Sequence, residues 1–194
     1  MQPPKLILLA GPNGAGKSSL HASQIAPRHP TLPFINADLI AAEHWPGEEI
    51  KHAYQASEMA ARERERVMAE GNSFATETVF SHPSKLELIT RAQASGYAVW
   101  LMIVYAPLEL TLRRVAYRIR HGGHTVPDQK VRERYKRLWP LLDQAVRVAE
   151  RTIIFENSTA KGHQAVAVGT RGIVRIIGVD RPWLHELLPG GFQP

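Results

Sequence analysis

The apolar positions fall into short runs separated by longer stretches of helical character. Lys5–Ala10 is an apolar run bounded by Pro and Gly, the pattern of a strand buried on both faces. Lys17–Ala26 reads as a helix stopped before Pro27, and Leu32–Asn36 as a second short strand. Glu48–Glu70 is rich in Ala, Glu, Arg and Met without an internal Gly or Pro, which predicts one long helix closed by Gly71. Ser73–Thr78 reads as a strand, Pro83–Ser95 as a helix ended by Gly96, and Tyr97–Tyr105 as the strongest strand of the chain. Leu108–Arg120 and Asp128–Arg151 read as helices separated by Gly122-Gly123, the second with a bend at Pro140. Thr152–Glu156 is a fifth strand. Gln164–Val168 and Ile173–Ile177 flank Gly169-Thr-Arg-Gly172 as a terminal hairpin, and Gly178–Pro194 shows no clear pattern. Strands alternating with helices predict a three-layer α/β domain: a mainly parallel five-stranded sheet, an Arg-rich helical lid and a C-terminal hairpin. Residues 1–194 read as one domain, with 113–137 as the lid-like segment.

Composition narrows the chemistry. The 194 residues include no cysteine, which excludes a disulfide framework, a thiolate metal site and a Cys nucleophile. The longest apolar run, Tyr97 to Leu108, is too short to span a bilayer, and Leu6–Ala10 is too short for a signal peptide's apolar region. A soluble, cytoplasmic protein is expected. The net charge of +6 suits an anionic partner without choosing one.

The loop after the first strand does choose. Gly11-Pro12-Asn13-Gly14-Ala15-Gly16-Lys17-Ser18 matches G-x-x-x-x-G-K-[ST], between a predicted strand and a predicted helix. Glycines let backbone N–H groups turn inward and approach phosphate oxygens. Lys17 reaches the terminal phosphates, the Ser18 hydroxyl is a Mg²⁺ ligand, and Ser19 lies at the start of the helix. The chain lacks N-K-x-D and D-x-x-G, the marks of guanine-specific switch proteins, and its length suits a small kinase.

Two acids follow strands, where α/β sheets place their ligands. Asp38 could accept a proton from an attacking hydroxyl, hold Mg²⁺ through water, or simply cap a helix. Glu77, with Thr76 and Thr78 beside it, could bind a hydroxylated substrate or a metal. Nine of the 24 Lys and Arg residues lie between 113 and 137, with only Asp128 and Glu133 as acids. Arginine's planar fork suits phosphate, and Arg114 and Arg118 share a helix face. His121 and His124 flank the glycine pair, but no third ligand nearby supports zinc. Two tyrosines alone as stacking candidates make nucleic acid an unfavoured partner.

These residues together resemble the zeta-toxin-like P-loop kinases. The likeness rests on Gly11–Ser19, Asn36-Ala37-Asp38-Leu39-Ile40-Ala41, Ala75-Thr76-Glu77-Thr78, the stretch R-x-x-x-R-x-x-x-G-G-H-x-V-P from Arg114 to Pro127, Arg134-Tyr135, and Asn157-Ser158. The resemblance implies ATP and Mg²⁺ as cofactors. It implies phosphorylation of a UDP-amino sugar such as UDP-N-acetylglucosamine, and an antitoxin protein as a partner. By position it implies Asp38 as the base, Lys17 and Ser18 on phosphate and Mg²⁺, and Glu77 on the sugar. Arg118 and Arg134 would be the lid arginines, and Asn157 would lie beside the adenine. The residues leave two other readings open: an ATP-hydrolysing regulator acting through a partner, and a polynucleotide or nucleoside kinase.

Overall fold

The computed structural model describes residues 2–120 and 126–192. His121, Gly122, Gly123 and His124 lie outside the described residues. Seven strands form a single sheet: β1 (Lys5–Ala10), β2 (Phe34–Ile35), β3 (Phe74–Thr78), β4 (Ala98–Tyr105), β5 (Arg151–Glu156), β6 (Gln164–Thr170) and β7 (Ile173–Ile176). Their order is β2-β3-β1-β4-β5-β6-β7. The pairs among β1 to β5 are parallel, and β6 and β7 add to β5 antiparallel. The expected hairpin therefore exists, but it extends the sheet: Thr152 to Ile154 pair with Gly169 to Ala167, and one irregularity follows Ile154.

β1 is the centre. Leu6 and Leu8 face one core with Leu101, Ile103 and Ile154, while Ile7 and Leu9 face a second with Val104 and Phe155. Burial on both faces is why the run is apolar without alternation. Because β1 lies between β3 and β4, the chain leaves it at the point where connections diverge to opposite sides. That is where α/β sheets open a crevice at the carboxyl ends of their strands.

The helices depart from the sequence pattern in four places. α1 (Lys17–Leu20) continues as π-helical turns over His21–Ile25, closed by the Ala26 N–H donating to the His21 carbonyl at 2.9 Å. α2 (Ala37–His44) is absent from the apolar pattern and foreshadowed only by Asp38 as a possible cap; Asn36 is the cap, its side chain accepting from the Asp38 N–H at 2.7 Å. α3 is Ala53–Ala69, shorter than expected. Pro46 and Gly47 turn the chain first, and the Trp45 and His52 rings stack at 4.5 Å across that turn. α7 (Pro182–Leu187) lies in the unpatterned tail. Its Leu184 is fully buried and its Trp183 stacks on Tyr105 at 3.6 Å.

α4 (Ser84–Ala94) and α5 (Leu108–Arg120) match their predicted runs, while α6 (Asp128–Val148) continues through Pro140 but ends before the expected Arg151, which opens β5. α5 and α6 carry the basic segment. They share a small core of Leu112, Val115 and Val131, flanked by Leu108, Ile119 and Val126. Among the described residues no helix is long and apolar enough to cross a membrane.

Candidate active site

The loop Gly11–Gly16 leaves the buried end of β1 and closes on α1. Its glycines are required by packing as well as by conformation. A Cβ on Gly14 (φ +75°) would meet the Thr111 carbonyl and the side chains of Arg114 and Val115 on α5. A Cβ on Gly16 (φ +98°) would strike Asn157 and His163. The Asn13 side-chain oxygen is buried without a hydrogen-bond partner among the described residues.

Lys17 is 8% exposed, and its Nζ donates to the Pro12 carbonyl at 3.1 Å. Burial pushes its ammonium below the usual lysine range. Glu77 and then Asp38 pull it back up, and Arg118 lowers it further. A base, an acid and a lid arginine predicted from three distant stretches of sequence thus act on one buried charge. The shift is the cost of burying an ammonium that is held on a carbonyl and has no carboxylate in hydrogen-bond contact among the described residues.

Ser18 and Glu77 are joined directly, the hydroxyl donating to Glu77 Oε2 at 2.8 Å. The β1–β3 register sets this contact, since Ala10 pairs with Thr78 and Leu9 with Glu77. Asp38 lies in the first turn of α2, exposed, with its backbone N–H on the Asn36 cap. The cap role is therefore Asn36's, and the Asp38 carboxylate makes no hydrogen bond or ion pair among the described residues.

Three predicted residues are hydrogen-bonded to the protein's own backbone. Thr76 is 2% exposed and its hydroxyl donates to the Ile35 carbonyl at 2.7 Å, tying β3 to β2 just before Asn36. The Thr78 hydroxyl accepts from the Phe80 N–H at 3.1 Å, supporting a buried phenylalanine held at φ +61°. Asn157 Nδ2 donates to the Ala15 carbonyl at 2.7 Å, so its side chain braces the phosphate loop from behind. Arg134 is half-buried on α6 beside Tyr135, whose hydroxyl donates to the Ala106 carbonyl at 3.1 Å past the end of β4.

Two further residues contact the loop: His163, which had no predicted role, and Arg114, read as one of the phosphate-facing arginines. His163 Nε2 bonds the Gly16 carbonyl at 2.9 Å, and Arg114 Nη1 donates to the Gly14 carbonyl at 3.4 Å. His163 belongs to no motif and sits far along the chain, so only the antiparallel return of β6 reveals it. A groove of about 900 Å³ lies elsewhere, between α6 and α7, against Trp139, Pro140 and Leu187. None of the predicted site residues lines it.

This sheet order, with a glycine loop at the central strand and a buried lysine at the start of the helix that follows, defines a P-loop fold of the kinase type. The zeta toxin family profile matches residues 1–165, and the chain belongs to that family. No curated protein matches it. Among solved structures it is similar to the AvrRxo1-ORF1:-ORF2 complex with ATP, at 16% identity and TM-score 0.73, over 96% of this chain and 64% of that one. It is also similar to the PezAT chromosomal toxin–antitoxin system of Streptococcus pneumoniae, at 17% identity and TM-score 0.62, over 87% of this chain and 72% of that one. A gluconokinase from Sinorhizobium meliloti 1021 matches at 18% identity and TM-score 0.51, over 99% and 91% of the two chains. The chain spans about 64% of the length of the AvrRxo1-ORF1:-ORF2 chain that it matches.

Proposed function

We propose that this protein is a kinase that moves the γ-phosphoryl group of ATP to a hydroxyl of a small molecule, a UDP-amino sugar such as UDP-N-acetylglucosamine. The observation that carries the reading is the geometry at the glycine loop: the Ser18 hydroxyl donates to Glu77 Oε2 at 2.8 Å beside a buried Lys17 held on the Pro12 carbonyl at 3.1 Å. The Asp38 carboxylate is exposed and makes no hydrogen bond or ion pair among the described residues, so it is available to accept a proton. In this reading Asp38 takes the acceptor's hydroxyl proton as that oxygen bonds to the γ-phosphorus and the bond to the leaving ADP oxygen breaks. Lys17 and the arginines of α5 and α6, Arg118 and Arg134, face the charge that spreads over the transferring group.

The donor set fits Mg²⁺. Ser18 and Glu77 offer hard oxygens 2.8 Å apart, with Asp38 available through water. Among the described residues no three His, Cys, Asp or Glu side chains form a metal cage of their own. That suits an ion held jointly with phosphates, where it would neutralise developing negative charge. Glu77 would then serve the metal and Ser18 as well as the sugar. The likeness to PezAT supports an antitoxin protein as the partner.

The test is an acceptor screen. The protein is incubated with ATP, Mg²⁺ and pooled UDP-sugars, nucleosides and oligonucleotides, and products heavier by one phosphoryl group are sought by mass spectrometry. A phosphorylated UDP-amino sugar, absent with Asp38→Asn, is the expected result. Product only from oligonucleotides would replace the acceptor class. ATP turnover that no acceptor stimulates would favour a partner-acting ATPase.

A further inference from the structure

A loop that turns its N–H groups toward phosphate must turn its carbonyls away, and each carbonyl then needs a donor or water. Here three successive carbonyls are met by side chains from α5 and from the two ends of the β5–β6 connection. Arg114 of α5 takes Gly14 at 3.4 Å, Asn157 after β5 takes Ala15 at 2.7 Å, and His163 before β6 takes Gly16 at 2.9 Å. The Gly16 carbonyl accepts twice, since the Leu20 N–H also reaches it at 2.9 Å. The space is closed as well: a Cβ on Gly14 or Gly16 would run into these same partners.

We propose that His163 and Arg114 are positioning residues of the phosphate cradle. They hold the Gly16 and Gly14 carbonyls outward, and through Arg114 the placement of α5 and the occupancy of the cradle depend on each other. The proposal rests on the reading of Gly11–Ser18 as a triphosphate site. A carbonyl accepts only, so His163 must carry its proton on Nε2. Burial holds its pKa below the usual imidazole range, and the nearby Arg114 pushes the same way, against the Gly16 bond. The neutral donor thus suffices. Arg114 lies four residues before Arg118, so a contact that fixes Arg114 on the loop also fixes the helix face that carries Arg118.

Calorimetric ATP titration and hydrogen exchange with and without ATP test this on the full chain. The variants are His163→Ala, His163→Gln, Arg114→Ala and Arg114→Lys. His163→Ala should weaken ATP binding roughly fivefold to tenfold, the range expected for one lost hydrogen bond. His163→Gln keeps an N–H donor and should recover most of that loss, which a purely space-filling role would not require. Arg114→Ala should weaken ATP comparably and abolish the ATP-dependent slowing of exchange in Leu108–Arg120, while slowing at Gly11–Ser18 persists. Arg114→Lys, the milder change, should restore part of both. If wild type binds ATP and the variants bind within twofold of it, or Gln behaves as Ala, or α5 protection survives Arg114→Ala, the inference falls alone. If wild type binds no ATP, the cradle reading falls and takes the inference with it.

Discussion

Asp38 and Lys17 show how little of a side chain's role is settled by its identity. An aspartate at the start of a helix is ordinarily a cap, but Asn36 fills that position and leaves the Asp38 carboxylate free. Asp38→Asn should therefore preserve the fold and ATP binding while lowering phosphotransfer by about 10²–10⁴-fold, the usual worth of a general base. Single-turnover assays beside ATP titration separate the two effects. Lys17 is stressed in the free protein. Its pKa lies below the ordinary 10.5 because burial disfavours the charged form, so between those values the unfolded chain binds more protons. Stability of the nucleotide-free protein should then rise as pH climbs through that window. Lys17→Met should remove the rise, add on the order of 1 kcal/mol at neutral pH and abolish ATP binding. Urea unfolding across alkaline pH reads the sign, and a destabilised Met variant would contradict it.

At the scale of elements, the basic segment that reads as a lid is built on its own small core. Leu112 and Val115 on α5 meet Val131 on α6, and Val115 also borders the space beside Gly14. Leu112→Ala should cost about 2–4 kcal/mol and lower kcat together with stability, because it loosens the seat of α5 beside the loop. The exposed ion pair of Arg132 with Glu109, 3.0 Å between the same two helices, should matter far less: Arg132→Ala is expected to cost under about 1 kcal/mol. Comparing the two variants by urea midpoint and turnover tests whether apolar packing or charge fixes the helix pair. Element boundaries were legible where punctuation was strong, as at Gly96 and at Gly71 past the end of α3. They failed at Glu48–His52, where Ala- and Glu-rich propensity pointed to helix and a stacked Trp45–His52 turn prevailed. α2 was missed because its eight residues carry a weak apolar stripe with one fully packed position, Ala41.

Across the whole molecule, the tail and the loop are tied to one sheet. α7 places Leu184 and Leu188 in the larger core and Trp183 on Tyr105, near the end of β4. Leu184→Ala should thus destabilise the entire domain by about 2–5 kcal/mol in one cooperative urea transition; a separate early transition would mean that the tail folds independently. The sequence by itself determined the phosphate loop, because its glycines, lysine and serine are contiguous and local backbone geometry demands them. It also determined the buried β1 and the excess of arginine between 113 and 137, since periodicity and charge are local properties. Only the tertiary structure decided which residues meet. Sheet order brought Glu77 to Ser18 across 59 residues, and the return of β6 brought His163 to Gly16 across 147. Burial took the Thr76 hydroxyl for a strand tie. Such contacts follow from strand pairing and packing over long separations, which no local pattern encodes.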